Sequence, residues 1–566
     1  MGIDLKAKPF FLQDKDCQWV EKTLAGMTVS QKVSQLFCVL IKDEPVASMM
    51  QKMEALDFWP GSFMTSPLSS KDVASNFRKL EERARIPLLF ACNLERGGDG
   101  ICSEGTLFGT QMQVAATNDT QWGYELGRVC GEEGLALGSN WNFGPVLDID
   151  TNFHNPITNT RTFGSDPEKV LSFSRAFSKG LMDAGMAVCL KHWPGDGRDE
   201  RDQHMVATIN DCSVEQWDAT YGKIYKTLIE DGAQSIMAAH IMVPEYSREL
   251  CPLIKDEAIL PGSLSYELTY TLLRKRLGFN GLVVTDATTM AGFMQAMPRK
   301  EALIKAIASG CDMLLFTVDL QEDFQSVLDG VKNGMVSRER LDDAVTHILA
   351  LKAHLKVHEK PLPAKKFSLD PLHLEEHEKQ ARKCADQAIT LVKDTQFLLP
   401  LSPCKHKRVL LHVLGDKGGY HDPITNTSVH FRHLLEKEGF VVTVFDARDA
   451  SLLPIGNSVE SMTARFDLVI YYASVKTSGS DTVSRITWAA PGGCSTPRYI
   501  NEIPTMLVSV DSPYMLLDVP RIKTCINGYT PNIYVIEAIV EKLMGRSPFV
   551  GVSPVDPFCG LFDARL

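Results

Sequence analysis

The stretch 190–204, LKHWPGDGRDERDQH, sets two histidines, four acidic side chains, two arginines and a lysine among two glycines and a proline. It is too polar for a core and too irregular for a helix, so it reads as a loop; by composition alone a charged surface turn would look the same. Within it, Asp202 and His204 are two residues apart and face the same way on extended chain. A carboxylate so placed orients an imidazole and stabilises its charged form, and a histidine can give and take a proton near neutrality. Asp286 ends the apolar run GLVVTD, 281–286, so its carboxylate emerges from a buried strand. Such a group can attack an anomeric carbon and form a covalent glycosyl intermediate, if a second group protonates the departing oxygen and then activates water. Capping the following turn is the other reading of Asp286. Lys191 and His192 close a strand together and offer donors to sugar hydroxyl groups, or are a snorkelling lysine and a satisfied histidine. Arg161, in NPITNTRTFGSDPE, either clamps a substrate group with its planar fork or pairs with Asp166. The separations of His192, His204 and His240 match no compact metal-ligand spacing, so no metal is expected.

These residues need elements that bring them to one place. Strand-like runs fall at 36–41, 61–65, 87–93, 139–143, 187–192, 235–240, 281–286 and 312–317, with helical patterns between them at 72–85, 119–137, 167–184, 214–231, 265–277 and 299–309. Alternating strands and helices imply parallel pairing with crossovers, and eight such units over about 320 residues fit a (β/α)8 TIM-like barrel; an open doubly wound sheet is the alternative. The barrel is favoured because Asn93, the pair Lys191 and His192, His240 and Asp286 sit at the carboxyl ends of four different strands, which converge on one mouth. After a last helix at 338–355, KVHEKPLPAKKFSLDPLH reads as a linker. A helix at 374–392 and strands at 408–414, 440–445, 466–473 and 505–510 then suggest a smaller α/β sandwich domain. The division expected is a catalytic barrel over 1–355, a linker and leading helix over 356–385, and a C-terminal α/β domain over 386–566. Gly415-Asp-Lys-Gly-Gly419 matches neither a dinucleotide fingerprint nor a P-loop and reads as a plain turn.

At 566 residues the chain exceeds what one core usually supports. Its formal net charge of −11 opposes non-specific attraction to nucleic acid or anionic membrane. No window approaches the length of a membrane span, and the amino terminus lacks the apolar stretch of an export signal. Fourteen cysteines without a CxxC pair argue against a zinc site or a disulfide framework, and reduced thiols in the cytoplasm are the economical reading.

With these residues in hand the chain resembles glycoside hydrolase family 3, and within it the β-N-acetylglucosaminidase branch. That branch carries Lys-His-aromatic-Pro-Gly-x-Gly ending in Asp-Ser-His; here it reads Lys191-His192-Trp193-Pro194-Gly195-Asp196-Gly197 through Asp202-Gln203-His204. Further signatures recur in order: MTVSQKVSQLF at 27–37, NLERGG at 93–98, NFGPVLDID at 142–150, RTFGSDPE at 161–168, AAHIMVP at 238–244, GFNGLVVTDATTM at 278–290 and ASGCDMLL at 308–315. The resemblance implies a retaining exo-β-N-acetylglucosaminidase acting on small glycans or cell-wall fragments, with Asp286 as nucleophile and His204, supported by Asp202, as acid/base. It implies that Arg161, Lys191 and His192 contact the sugar, and it puts Asn93, Glu95 and His240 in the same subsite. Asn93 stands where the family usually has Asp, with Glu95 or Asp99 as candidates to compensate, and Ala287 follows the nucleophile where a second Asp is common. No cofactor is implied; the partner expected is a small carbohydrate, bound by a monomer or homodimer. Phosphorolysis, a β-glucosidase specificity and a catalytically inactive sugar-binding protein are the alternatives.

Overall fold

The computed structural model describes residues 3–41, 44–359, 368–370, 372, 374–416, 426–453, 456–475, 485–490 and 492–566. Much of the linker read from sequence (360–367, 371 and 373) and three residues of the Gly415–Gly419 turn (417–419) lie outside them. The chain forms two compact units: one comprises 1–107, 123–149 and 170–375, the other 108–122, 150–169 and 376–566.

In the first unit eight parallel strands close into a barrel: β1 Phe37–Ile41, β2 Ser62–Thr65, β3 Leu89–Cys92, β4 Trp141–Asn142, β5 Ala187–Trp193, β6 Ser235–Ala238, β7 Leu282–Ala287 and β8 Met313–Leu315. Each strand pairs with its neighbour in this order and β1 closes onto β8. The runs are apolar because a parallel strand wrapped by helices is covered on both faces, and β5 is buried along its whole length. Apart from β5 and β7, the barrel strands are shorter than the sequence suggests. At β4 side chains of the flanking residues add to the main-chain bonds, Asn140 Oδ1 accepting from the Phe90 N–H at 3.0 Å and Ser139 Oγ donating to the Phe90 carbonyl at 2.8 Å.

The second unit holds a six-stranded sheet built from β9 Thr390–Asp394, β10 Arg408–Gly415, β11 Val441–Val444, β12 Leu468–Ser474, β13 Thr505–Ser509 and β14 Thr524–Asn527, in the order β9-β14-β13-β12-β10-β11. All pairs are parallel except β9 with β14. Here the sequence reading is corrected: the helix expected to run to Val392 stops at Ala388. Ile389, Thr390 and Val392 are β-branched and prefer extended chain, and antiparallel pairing with β14 supplies the ladder that makes this segment a strand.

Behind β8 the barrel depends on a buried charge. Asp312 is fully buried, takes Arg274 Nη2 at 2.5 Å and Arg340 Nη2 at 2.6 Å, and accepts the Val283 N–H of β7 at 2.8 Å. Burial alone would raise its carboxyl, but Arg274, His347 and Arg340 outweigh it and hold it below the usual range. Asp312→Ala leaves the buried Arg274 without its carboxylate and Arg340 with Asp343 alone, and should cost about 3–5 kcal/mol, read as a lower midpoint of urea unfolding.

Candidate active site

The pairing of β5 with β6 slips between Leu190 and Trp193, so Lys191 and His192 occupy an irregularity rather than regular ladder positions. Such a slip re-aims side chains out of the sheet. His192 Nδ1 lies 2.6 Å from Asp148 Oδ2, while Asp148 Oδ1 accepts the main-chain N–H groups of His192 at 3.3 Å and Asp196 at 2.8 Å. A carboxylate only accepts, so Nδ1 carries the hydrogen and the ring is fixed in tautomer and direction. Lys191 Nζ lies 2.6 Å from Glu95 Oε1 and donates to Asn93 Oδ1 at 3.1 Å, so Glu95 supplies the anion that Asn93 cannot. Asn142 holds this turn by bonding both main-chain groups of Leu94, accepting its N–H at 2.7 Å and donating to its carbonyl at 3.1 Å.

After Trp193 the chain turns through two glycines that no other residue could replace. Gly195 and Gly197 have φ of +120° and +108°; a Cβ would sit 2.2 Å from the Tyr221 ring at the first and 1.8 Å from the Ile149 carbonyl oxygen at the second. An aromatic wall from 217–225 holds the turn: Trp217 Nε1 donates to the Pro194 carbonyl at 3.0 Å, Tyr221 OH donates to the Asp196 carbonyl at 2.7 Å, and Tyr225 meets Trp193 edge to face at 4.8 Å. The arginines that follow are paired close by, Arg201 with Asp199 inside the segment and Arg198 with Asp211 just beyond it. The segment then reaches His204, whose Nδ1 is 2.7 Å from Asp202 Oδ1. Asp202 is buried and His204 is about one-third exposed, with 37% of its side chain open. By the same logic the hydrogen sits on Nδ1, and Nε2 is left to exchange a proton with a ligand.

Asp286 ends the buried run of β7 and accepts the N–H of Ala287 at 2.7 Å. Burial alone would raise its carboxyl; His192, His240 and His204 together outweigh that and hold it below the ordinary range. Three histidines, one in β5, one on the loop after it and one after β6, thus act on one carboxylate. His240 is fully buried, and burial lowers its pKa. Its Nε2 lies 3.1 Å from the Ala287 carbonyl and its Nδ1 2.9 Å from Ser263 Oγ. The carbonyl only accepts, so Nε2 donates and Ser263 donates to Nδ1; the ring offers a face beside Asp286 and no spare nitrogen. Among the described residues, groups that could hold a metal ion are Asp16, His358 and Glu359, and Asp312, Asp343 and His347. Lys356 and the two arginines already serve these, and neither includes the histidines around Asp286.

Arg161 belongs to the second unit, at the end of a short turn, Asn159–Arg161. The turn is tied to Asp150, whose carboxylate takes Thr158 Oγ1 at 2.6 Å and Tyr514 OH at 2.5 Å, while Asn155 Oδ1 accepts the N–H groups of Ile157 and Thr158 at 2.8 and 2.9 Å. Asp166, the partner considered for Arg161, accepts the Glu168 N–H at 2.9 Å at the start of the helix Pro167–Ala184.

Residues 21–351 match the family model for the glycosyl hydrolase family 3 N terminal domain. The chain belongs to glycoside hydrolase family 3. It is 42% identical over 573 residues, all of both chains, to a "Beta-N-acetylglucosaminidase/beta-glucosidase" of Cellulomonas fimi. Among solved structures, a "Beta-glucoside phosphorylase BglX" is 43% identical and superposes with a TM-score of 0.93 over 99% of each chain. A family 3 β-N-acetylglucosaminidase from Paenibacillus sp. str. FPU-7, 22% identical, covers 95% of this chain and 100% of its own with a TM-score of 0.78, a likeness of fold. The protein is therefore a glycoside hydrolase with a carbohydrate substrate, and among its described residues no helix is long and apolar enough to cross a membrane.

For this family 3 enzyme the sequence singled out His192, His204, His240 and Asp286 as separate candidates, and the fold brings all four together. It did not single out Asp148, Asn142 or Gln203. The first two lie in the NFGPVLDID signature, where an asparagine and an aspartate amid apolar residues are the available signal; Gln203 carried none beyond its place between Asp202 and His204. Asp150, in the same signature, is pushed by burial up to about 7 despite its bonds from Thr158 and Tyr514. A carboxyl raised above its ordinary value near 3.9 binds an extra proton in the folded state. Its contribution to stability is full below about pH 4 and is lost as pH rises through about 7, at ~1.4 kcal/mol per pH unit between. Urea unfolding followed over that range should show Asp150→Asn losing less stability than wild type as pH rises.

Proposed function

We propose that this family 3 enzyme removes terminal β-linked N-acetylglucosamine from small glycans by a double displacement that retains configuration. The observation that carries the reading is one carboxylate, Asp286, held ionised amid three histidines, the most exposed of which, His204, is backed through Nδ1 by the buried Asp202. In the first step Asp286 attacks the anomeric carbon, the glycosidic C–O bond breaks, and His204 Nε2–H passes its proton to the departing oxygen. In the second, His204 Nε2 takes a proton from water, the oxygen bonds to the anomeric carbon, and the ester to Asp286 breaks. Lys191, His192, Asn93 and Glu95 hold sugar hydroxyl groups in this scheme, and the ring of His240 closes the wall beside the nucleophile. The C. fimi relative, named for both N-acetylglucosaminidase and β-glucosidase activity, supports the sugar class. The free thiols of all fourteen cysteines support a reducing, cytoplasmic setting.

A second reading, in which inorganic phosphate takes the place of water, is favoured by the acid/base being a histidine. A neutral imidazole does not repel a phosphate dianion as a second carboxylate would, and the relative named as a β-glucoside phosphorylase is 43% identical over 99% of this chain. Phosphate oxygen then bonds to the anomeric carbon and the product is the sugar 1-phosphate.

Both readings are tested on aryl N-acetyl-β-glucosaminides and aryl β-glucosides with and without phosphate. Asp286→Ala should lose about a thousandfold or more in kcat/KM, and full-rate turnover by that variant would sink the double displacement. His204→Ala should lose far more on a poor leaving group than on an activated one, since only the former needs the proton. Release of sugar 1-phosphate in place of free sugar on adding phosphate selects the second reading, and free sugar alone selects the first.

A further inference from the structure

We infer that Gln203 is a positioning residue that locks the acid/base segment 202–206 in its working place before any sugar arrives, so that this enzyme does not close that segment over its substrate. The inference rests on His204 being the acid/base. Gln203 lies between Asp202 and His204 in sequence yet is fully buried. Its Nε2 donates to Asp196 Oδ2 at 3.3 Å, and its Oε1 accepts the main-chain N–H of His240 at 3.1 Å. One partner can only accept and the other can only donate, so a group carrying a donor and an acceptor on one rigid plane satisfies both. The serine of the Asp-Ser-His motif is too short to span from Asp196 to His240, and a glutamate would face the carboxylate of Asp196 with a like charge.

Through this amide His204 is coupled to both other histidines that act on Asp286. Asp196 hangs by its N–H from Asp148, the carboxylate that orients His192, and His240 follows β6. The segment is seated from a third side on the turn after the nucleophile strand. The Ala291 N–H donates to the His204 carbonyl at 2.9 Å, Gln295 Nε2 donates to the Met205 carbonyl at 3.2 Å, and a Cβ on Gly292 would lie 2.3 Å from the Gln203 carbonyl oxygen. Backbone therefore lies directly on backbone there. Gly195 and Gly197, which a hinge would require to swing, are packed against Tyr221 and Ile149. A segment held in this way keeps the imidazole at a set distance from the nucleophile without spending binding energy on closure.

Hydrogen exchange of the full-length wild type, alone and with saturating N-acetylglucosamine or glucose, should show slow exchange across 202–206 that the sugar leaves within about twofold. Gln203→Ser and Gln203→Met should each raise exchange in this segment about tenfold or more with the barrel strands unchanged. Both should lower kcat about tenfold on a poor leaving group while leaving KM and the rate on an activated one near wild type. The methionine variant keeps the volume, so its loss is assigned to the two hydrogen bonds. Fast exchange in wild type that sugar suppresses, or variants whose segment exchanges as slowly as wild type, would overturn the inference. The wild-type arm decides even if a variant fails to fold. If His204→Ala were to lose activity equally on all leaving groups, the acid/base reading would fall while the exchange result still judged the lock.

Discussion

A carboxylate buried without exposure must be given donors, and the way Asp148 meets that demand organises the first unit's site. It receives the ring and the main chain of His192 and the main chain of Asp196, so one buried charge sets the imidazole at the end of β5 and the start of the segment that carries His204. An unmet charge in such a place would cost several kcal/mol. The 142–149 stretch that delivers Asp148 also runs along β5, the Leu147 N–H bonding the Lys191 carbonyl at 2.6 Å. Strand, loop and histidine are consequently one construction.

The electrostatics follow from the same economy. Asp286 would be driven toward protonation by burial, and a protonated carboxyl is no nucleophile. Histidines rather than lysines supply the opposing influence, and in the proposed double displacement one of those same rings also changes its protonation state. The fixed positive charge nearby, Lys191, is already matched by Glu95.

Much of the barrel was legible because its strands are short apolar runs separated by helical periods, and because polar residues recur at one end of each run. The helix ending at Ala388 was read too long, since an amphipathic pattern continues smoothly into β-branched residues until a distant strand, β14, offers pairing. β14 itself, four residues of unremarkable composition, has no local signature and exists through its neighbours. A glycine in the sequence does not say whether it serves motion or close approach; the packing of Tyr221 against Gly195 and of Ile149 against Gly197 shows close approach.

For the site, residue type and spacing alone determined what chemistry was available: an aspartate leaving a buried strand, a histidine with an aspartate two residues before it, and a lysine and histidine at a strand end. Those facts are local and survive in any unfolded chain. Which residues hold them was decided only in three dimensions. Asp148 meets His192 across 44 residues and Gln203 meets His240 across 37, and no sequence pattern links such pairs because the contact is made by barrel closure rather than by chain proximity. Tertiary structure also engaged both ring nitrogens of His240, one with Ser263 and the other with the Ala287 carbonyl.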